Sequence, residues 1–342
     1  MKPAALFFPC LAIGLALLAP VPARAAEPVT IKLATILPVG TSGHQSLMDM
    51  RDSWQKTSGQ SVKLNIYAGS ADGEALLVKK MRARQIHAAL LSAVGLSEID
   101  KSLSSLQLMP MVFRNWGEVD YVREAIRPIL EARLREKGFV VLFWADAGWV
   151  RFFSKETGVY PDDFKKMKMF SWAGEPQQME IMRGLGYQPV SLETEQIIPA
   201  LTTGMVSVVP VPPFIANALQ YNRQAGHMLD LNWVPIVGAA IVRRDIWETI
   251  PPETRAALLA AAGATGEKIR AHSRAEDEDA VVAMTKRGLI VQPVSPPVEA
   301  AWLALAAKTH LQIRGPIVPA DIFDEVQARL AEYRTAHPAA GR

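Results

Sequence analysis

The sequence predicts an α/β protein of two lobes. Three observations carry this: strand and helix patterns alternate over two separate stretches, a helical reach of about 35 residues follows them, and 342 residues exceed what one ordinary core serves. An apolar fraction of 49% supplies side chains for two cores.

The first stretch opens on 29–35, an alternating β-rich run that reads as a half-buried strand. A loop from Pro38 to Gly43 follows, in which Thr41 or Ser42 can cap a helix over 44–56. A strand at 62–67, an amphipathic helix at 73–84 and a strand at 86–92 complete the pattern of a parallel sheet with right-handed crossovers. Beyond an irregular apolar segment at 103–113 come a helix over 116–137 and a fully apolar, buried strand at 139–145.

The second stretch has strands at 151–154 and 167–172. The charged, turn-prone run 160–166 precedes the latter, and Gly174-Glu175-Pro176 opens a helix to about 185. A strand after Gly186, a helix over 195–203 closed by Gly204, and a strand at 206–209 follow. Phe170 and Trp172 share one face of their strand, either packed as core or presented to a ligand. The crevice beyond the carboxyl end of such a strand is where open α/β sheets hold ligands.

After a strand at 235–243, Pro251-Pro252-Glu253 opens the long helical reach to about 287, interrupted by Gly263 and Gly266. At 1.5 Å per residue it extends roughly 50 Å, enough to cross the back of both lobes. Its acid-rich run 275–279 reads as a solvated face. A strand at 289–294 and helices over 296–310 and 319–336 end the fold before a tail at 337–342. These divisions place 26–148 with about 235–275 in the first lobe, and 149–234 with about 276–336 in the second.

Residues 1–25 have the build of a secretory signal: Lys2, an apolar run, and Ala23-Arg24-Ala25 as the cleavage site. The expected destination is the periplasm. Cys10, the sole cysteine, lies within that segment, so the mature chain has no disulfide, thiol chemistry or thiolate metal site. Removing Lys2 and Arg24 from 37 basic residues leaves 35 against 34 acidic ones, a balance that argues against nucleic acid as a partner. No later segment is long and apolar enough to span a bilayer, so the mature chain is expected to be soluble, and monomeric.

The sequence contains no Gly-x-Ser-x-Gly elbow, phosphate loop or dinucleotide fingerprint, and its six histidines show no pair at metal-ligand spacing. An exported pair of α/β lobes without a visible catalytic set, cofactor site or metal site is suited to binding: two lobes closing on a solute convert affinity into a shape change that a membrane partner can read.

Several segments, in order and spacing, carry a family resemblance. They include the Pro38–His44 loop, Lys137-Gly138-Phe139 leading to Trp144, Arg151-Phe152-Phe153-Ser154, the Pro161–Lys165 run before Met167-Lys168-Met169, Gly184-Leu185-Gly186-Tyr187-Gln188-Pro189, Ala200–Gly204 and Trp247–Pro251. Over nearly the whole mature chain the sequence resembles the DctP-like substrate-binding subunits of tripartite ATP-independent periplasmic (TRAP) transporters. The resemblance implies a type II-like periplasmic binding fold, two lobes joined by crossing strands with a long helix along the back. It also implies delivery of a small organic solute to membrane permease subunits, with no enzymatic activity. Two other readings stay open here: a receptor that presents its ligand to a sensor or lipid-handling partner, and a periplasmic hydrolase.

Typical members grip a carboxylate with two arginines and an asparagine. The first arginine matches Arg151, but the second position holds Phe170 and the asparagine position holds Val211 before Pro212; Ser207 stands where an aspartate is usual after Gly204. A guanidinium supplies two parallel bonds to a carboxylate that a ring cannot. The expected ligand is therefore apolar or aromatic and at most monoacidic, in a cleft walled by Phe170, Trp172, Val211, Pro212, Pro213 and Phe214. Arg151 either holds a single acidic or carbonyl group or serves as a structural ion-pair partner. Trp149, Trp233, Thr41, Ser42, His44 and Ser92 are further wall residues that the resemblance implies.

Overall fold

The structure is a computed structural model and describes residues 27–338 apart from 71 and 173–175. The expected signal segment with its cleavage site, the Gly174-Glu175 helix opening and the end of the tail lie outside the described residues. In chain order the strands are β1 (Val29–Thr35), β2 (Val62–Tyr67), β3 (Ala88–Ser92), β4 (Phe139–Trp149), β5 (Arg151–Ser154), β6 (Lys168–Trp172), β7 (Gln188–Leu192), β8 (Val208–Val211), β9 (His227–Leu229), β10 (Pro235–Arg243) and β11 (Ile290–Gln292). The α-helices are α1 (Ser42–Thr57), α2 (Glu74–Arg82), α3 (Ala93–Ser97), α4 (Trp116–Glu136), α5 (Pro161–Lys165), α6 (Pro176–Gly184), α7 (Ile197–Thr203), α8 (Pro213–Ala218), α9 (Arg244–Trp247), α10 (Pro252–Thr285), α11 (Pro296–Ile313) and α12 (Ala320–Ala336).

Two sheets form, one per lobe. The first has the order β2-β1-β3-β10-β4, with β1 parallel to β2 and β3 and β10 antiparallel to its neighbours. The second runs β11-β9-β5-β8-β6-β7. In β1 and β2, Ile31, Leu33, Val62 and Leu64 are buried while Lys32 and Lys63 are exposed, the period-two pattern that set these strands in the sequence. Strand β4 runs four residues past the apolar stretch, through Asp146, which is 3% exposed. That carboxylate accepts from Arg274 Nη2 at 2.6 Å and Ser273 Oγ at 3.1 Å, so a charge that reads as a strand end is carried inside by pairing. Burial still raises its pKa, with Arg274 pulling the other way.

A single residue, Val150, separates β4 in the first sheet from β5 in the second. Its N–H donates to Val234 O at 2.8 Å, and the Trp233 N–H donates to Val150 O at 3.0 Å. These two crossings between the lobes, from β4 to β5 and from β9 to β10, are thus hydrogen-bonded to each other.

Helix α10 runs unbroken for 34 residues. Leu258, Ala262 and Ile269 enter the first lobe's core, while Ala280 and Met284 enter the second's. Gly266 does not interrupt the helix; it lets α10 lie on β4, since a Cβ there would stand 2.7 Å from Trp144 O and 2.8 Å from Phe143 Cβ. The acid-rich run is not wholly solvated either. Asp277 is 6% exposed and accepts one bond on each oxygen, from the N–H of Trp149 and that of Phe214, both at 3.1 Å. Gly148, at φ +84°, admits it: a Cβ there would come within 2.8 Å of the carboxylate. The C-terminal region also departs from the expected division, because α12 packs on α4, with Ile322, Val326 and Leu330 in the first lobe's core.

Replacing Gly266 with Ala forces the helix off the sheet and should lower stability by about 1–3 kcal/mol, whereas Gly263→Ala, with nothing within 4 Å of its Cβ, should raise it by up to about 1 kcal/mol. Urea unfolding of the two variants checks the opposite signs.

Asp277 gives a pH signature. Burial pushes its carboxyl from 3.8 up to about 6, against the two backbone bonds and Arg151. A raised acid contributes fully below its ordinary value and loses that contribution as pH climbs through the folded one. Asp277→Asn keeps an acceptor but cannot ionise. Its melting temperature should lie below the parent's near pH 4 and close on it towards pH 7, the window that the shift from 3.8 to about 6 sets; a pH-independent gap in calorimetry would contradict this.

Candidate functional site: a cleft between the lobes

The carboxyl ends of β2, β3, β6 and β8 face a cavity of about 320 Å³ between the two sheets. Its walls are built where strands stop and helices begin: Ser92 ends β3 before α3, Trp172 ends β6, and Val211 ends β8 before α8.

Aromatic rings line much of the second lobe's side. Phe152 stacks on Trp302 with centroids 5.0 Å apart, and Trp233 stands against both at 5.6 and 5.5 Å. The indole N–H of Trp302 donates to Val159 O at 2.8 Å, which fixes the buried ring behind the cavity wall. Phe170 meets Trp172 edge-on at 4.8 Å. Phe170 is 2% exposed, both part of the second lobe's core and a lining residue, so the two readings of that strand face coincide.

The described lining residues include the carboxylates of Asp72, Glu74, Glu98, Glu193 and Glu195, and no lysine, arginine or histidine. Asp72 pairs with Lys80. Glu74, at the start of α2, is half-buried as a residue, but its carboxyl group is enclosed. It accepts from the Ser92 N–H at 2.7 Å, Ser92 Oγ at 2.5 Å and the Gly95 N–H at 3.0 Å. Burial raises its pKa despite those bonds. Glu193 of the second lobe reaches the backbone of Gly73 in the first, where a Cβ would stand 3.4 Å from its Oε2.

Of the residues singled out in the sequence, Phe170, Trp172, Val211, Pro212, Trp233 and Ser92 line this cavity. Arg151 does not. Its Nη1 bonds Asp230 Oδ1 at 2.9 Å, and it faces away because Phe152, its neighbour in β5, takes the cavity side. Trp149 is buried against Trp116, ring to ring at 5.0 Å. Thr41 caps α1 by accepting the His44 N–H at 3.2 Å, and with Ser42 and Phe214 it borders a separate void of about 20 Å³. Pro213 is buried at the start of α8, and His44 Nδ1 accepts from the Gly40 N–H at 3.2 Å. The cavity residues Phe152, Trp302 and Gln107 were missed. Phe152 was legible from alternation with Arg151, but Trp302, on a helix 150 residues further along, carries no local signal.

Among the described residues, no cluster of His, Cys, Asp and Glu is arranged to hold a metal ion, and no helix is long and apolar enough to cross a membrane.

Two α/β lobes joined by paired crossings around a cavity open on one side define a cleft-type ligand-binding protein. The comparisons with known proteins make this specific: residues 33–314 match the DctP family, bacterial extracellular solute-binding protein family 7, and the chain belongs to it. It is 25% identical over 327 residues, 94% of this chain and 96% of the other, to the C4-dicarboxylate-binding periplasmic protein DctP of Rhodobacter capsulatus. Its fold is similar to that of TRAP periplasmic solute binding proteins. One from Ralstonia eutropha H16 holds (S)-2-acetolactate, with TM-score 0.82 and 20% identity over 90% of this chain and all of that one. Another from Sulfurospirillum deleyianum holds succinate, with TM-score 0.79 and 19% identity over 88% and 99% of the two chains. A third from Desulfovibrio salexigens holds orotic acid, with TM-score 0.80 and 15% identity over 90% and 99%.

Arg151→Ala removes the pair with Asp230 and a positive charge that acts on Asp277. The melting temperature should fall, while affinity for a cavity ligand should change less than about twofold. A loss of about tenfold or more in calorimetric titration would return Arg151 to the site.

Proposed function

We propose that the chain captures a small, predominantly apolar or aromatic solute carrying at most one acid group in the periplasm and delivers it to the membrane permease of a TRAP-type transporter. The family supports delivery; the lining of the cleft supports the ligand class. The observation that carries the reading is the ring-walled cavity whose described lining has carboxylates and no cation.

The fold neighbours named above hold acids, and a dicarboxylate in their manner would enter this cleft beside Glu74 and Glu193 without a compensating cation. A carboxylate taken out of water without charge-assisted donors costs several kcal/mol, a large share of the roughly 8 kcal/mol of a micromolar complex. A flat ring gains instead from contact with the partly exposed rings of Trp172 and Trp233, and from expelling water against apolar walls.

A ligand that binds only the folded form raises its stability by about 2.7 kcal/mol at a hundred times Kd. Thermal-shift screening of the mature chain should therefore show larger midpoint rises with neutral aromatics or apolar monoacids than with succinate. A largest shift with succinate would sink the proposal.

A further inference from the structure

Two polar side chains in the cleft lack partners. Gln107 is 7% exposed and Ser171 is 4% exposed, and among the described residues neither Gln107 Oε1 nor Ser171 Oγ has a hydrogen-bond partner. Both residues line the cavity. Gln107 belongs to the first lobe, in the loop that follows the 3-10 turn Lys101–Leu106, and Ser171 to the second, in β6 between Phe170 and Trp172. Folding withdraws both groups from water and gives nothing back. Such a group weakens the unliganded protein and is satisfied when a ligand supplies its bond.

We infer that Gln107 and Ser171 are specificity-determining residues for an uncharged solute, and that its hydrogen-bonding group, of the amide or alcohol type, completes one bond to each lobe. This inference rests on the apolar-ligand reading and narrows it from at most monoacidic to neutral. An anion would find only neutral polar atoms in the described lining to receive it. A cation gains little inside, because Glu74 already accepts three bonds, Asp72 pairs with Lys80, and Glu98, Glu193 and Glu195 are exposed, where water and salt screen them. A pure hydrocarbon leaves both polar atoms dry. A solute that touches Gln107 and Ser171 together is bound best when the lobes hold this mutual arrangement, which supplies the differential affinity that closure requires.

Four matched probes separate the possibilities on the mature chain: 3-phenylpropanamide, 3-phenylpropanoate, 3-phenylpropylammonium and propylbenzene, with succinate as a fifth arm. By calorimetric titration the amide should bind at least about tenfold more tightly than the other four. Gln107→Met and Ser171→Ala should each weaken the amide by about tenfold and leave propylbenzene within about twofold. The unliganded melting temperature of either variant should hold or rise, since each removes a group without a partner.

Propylbenzene equal to the amide, or the propanoate or ammonium ahead of it, would overturn this inference while leaving an apolar-ligand cleft standing. Succinate ahead of all four would overturn both. Variants that melt lower than the parent and keep the parent's preference for the amide would make Gln107 and Ser171 structural and end the assignment.

Discussion

One carboxylate holds the two lobes to their common spine. Asp277 projects from the long helix into the crossing between the sheets and accepts one backbone N–H from the end of β4 and another from the start of α8. The first belongs to the first sheet and the second to the lobe opposite, so both are referenced to one point on α10. The nearby Arg274 works to the same end, bonding Asp120 of α4 at 2.7 Å and Asp146 of β4 at 2.6 Å while lying 4.3 Å above the Trp116 ring. Buried charges are costly, and here each is matched by donors that come from a different element. What they contribute is position.

The cleft inherits its chemistry from that framework. Because β5 begins one residue after β4 ends, the alternation of its side chains is fixed by the crossing: Phe152 turns into the cavity and Arg151 turns out to Asp230. Phe170 continues the second lobe's core to the cavity surface. The cleft and the hydrophobic core are one surface at this point, which ties the ligand's character to what the fold can bury.

Much of this was legible in the residues. Alternation placed the strands of both sheets, Pro and Gly marked the helix ends, and Phe170, Val211 and Pro212 stood out against the family's usual carboxylate grip. The misreadings share a cause, since each concerns a long-range pairing that the local pattern does not contain. Asp146 reads as the end of a strand until Arg274 lies beside it, and Asp277 reads as one acid among several on a solvated helix until the crossing delivers two N–H groups to it. Trp302 carries no local sign of its place, and only the packing sets its ring beside Phe152. Likewise α12 follows a second-lobe helix in sequence, and only the apolar side chains that it shares with α4 return it to the first lobe.

Helix α10 lends side chains to both cores, with Leu258, Ala262 and Ile269 on one side of the crossing and Ala280 and Met284 on the other. Neither half of the molecule is therefore complete without a segment it shares. Melting one lobe strips the other of a wall, so the pair comes apart as a single cooperative unit, and a fragment cut at the crossing would expose a raw apolar seam to solvent. The spine that the two lobes share prevents either from living alone.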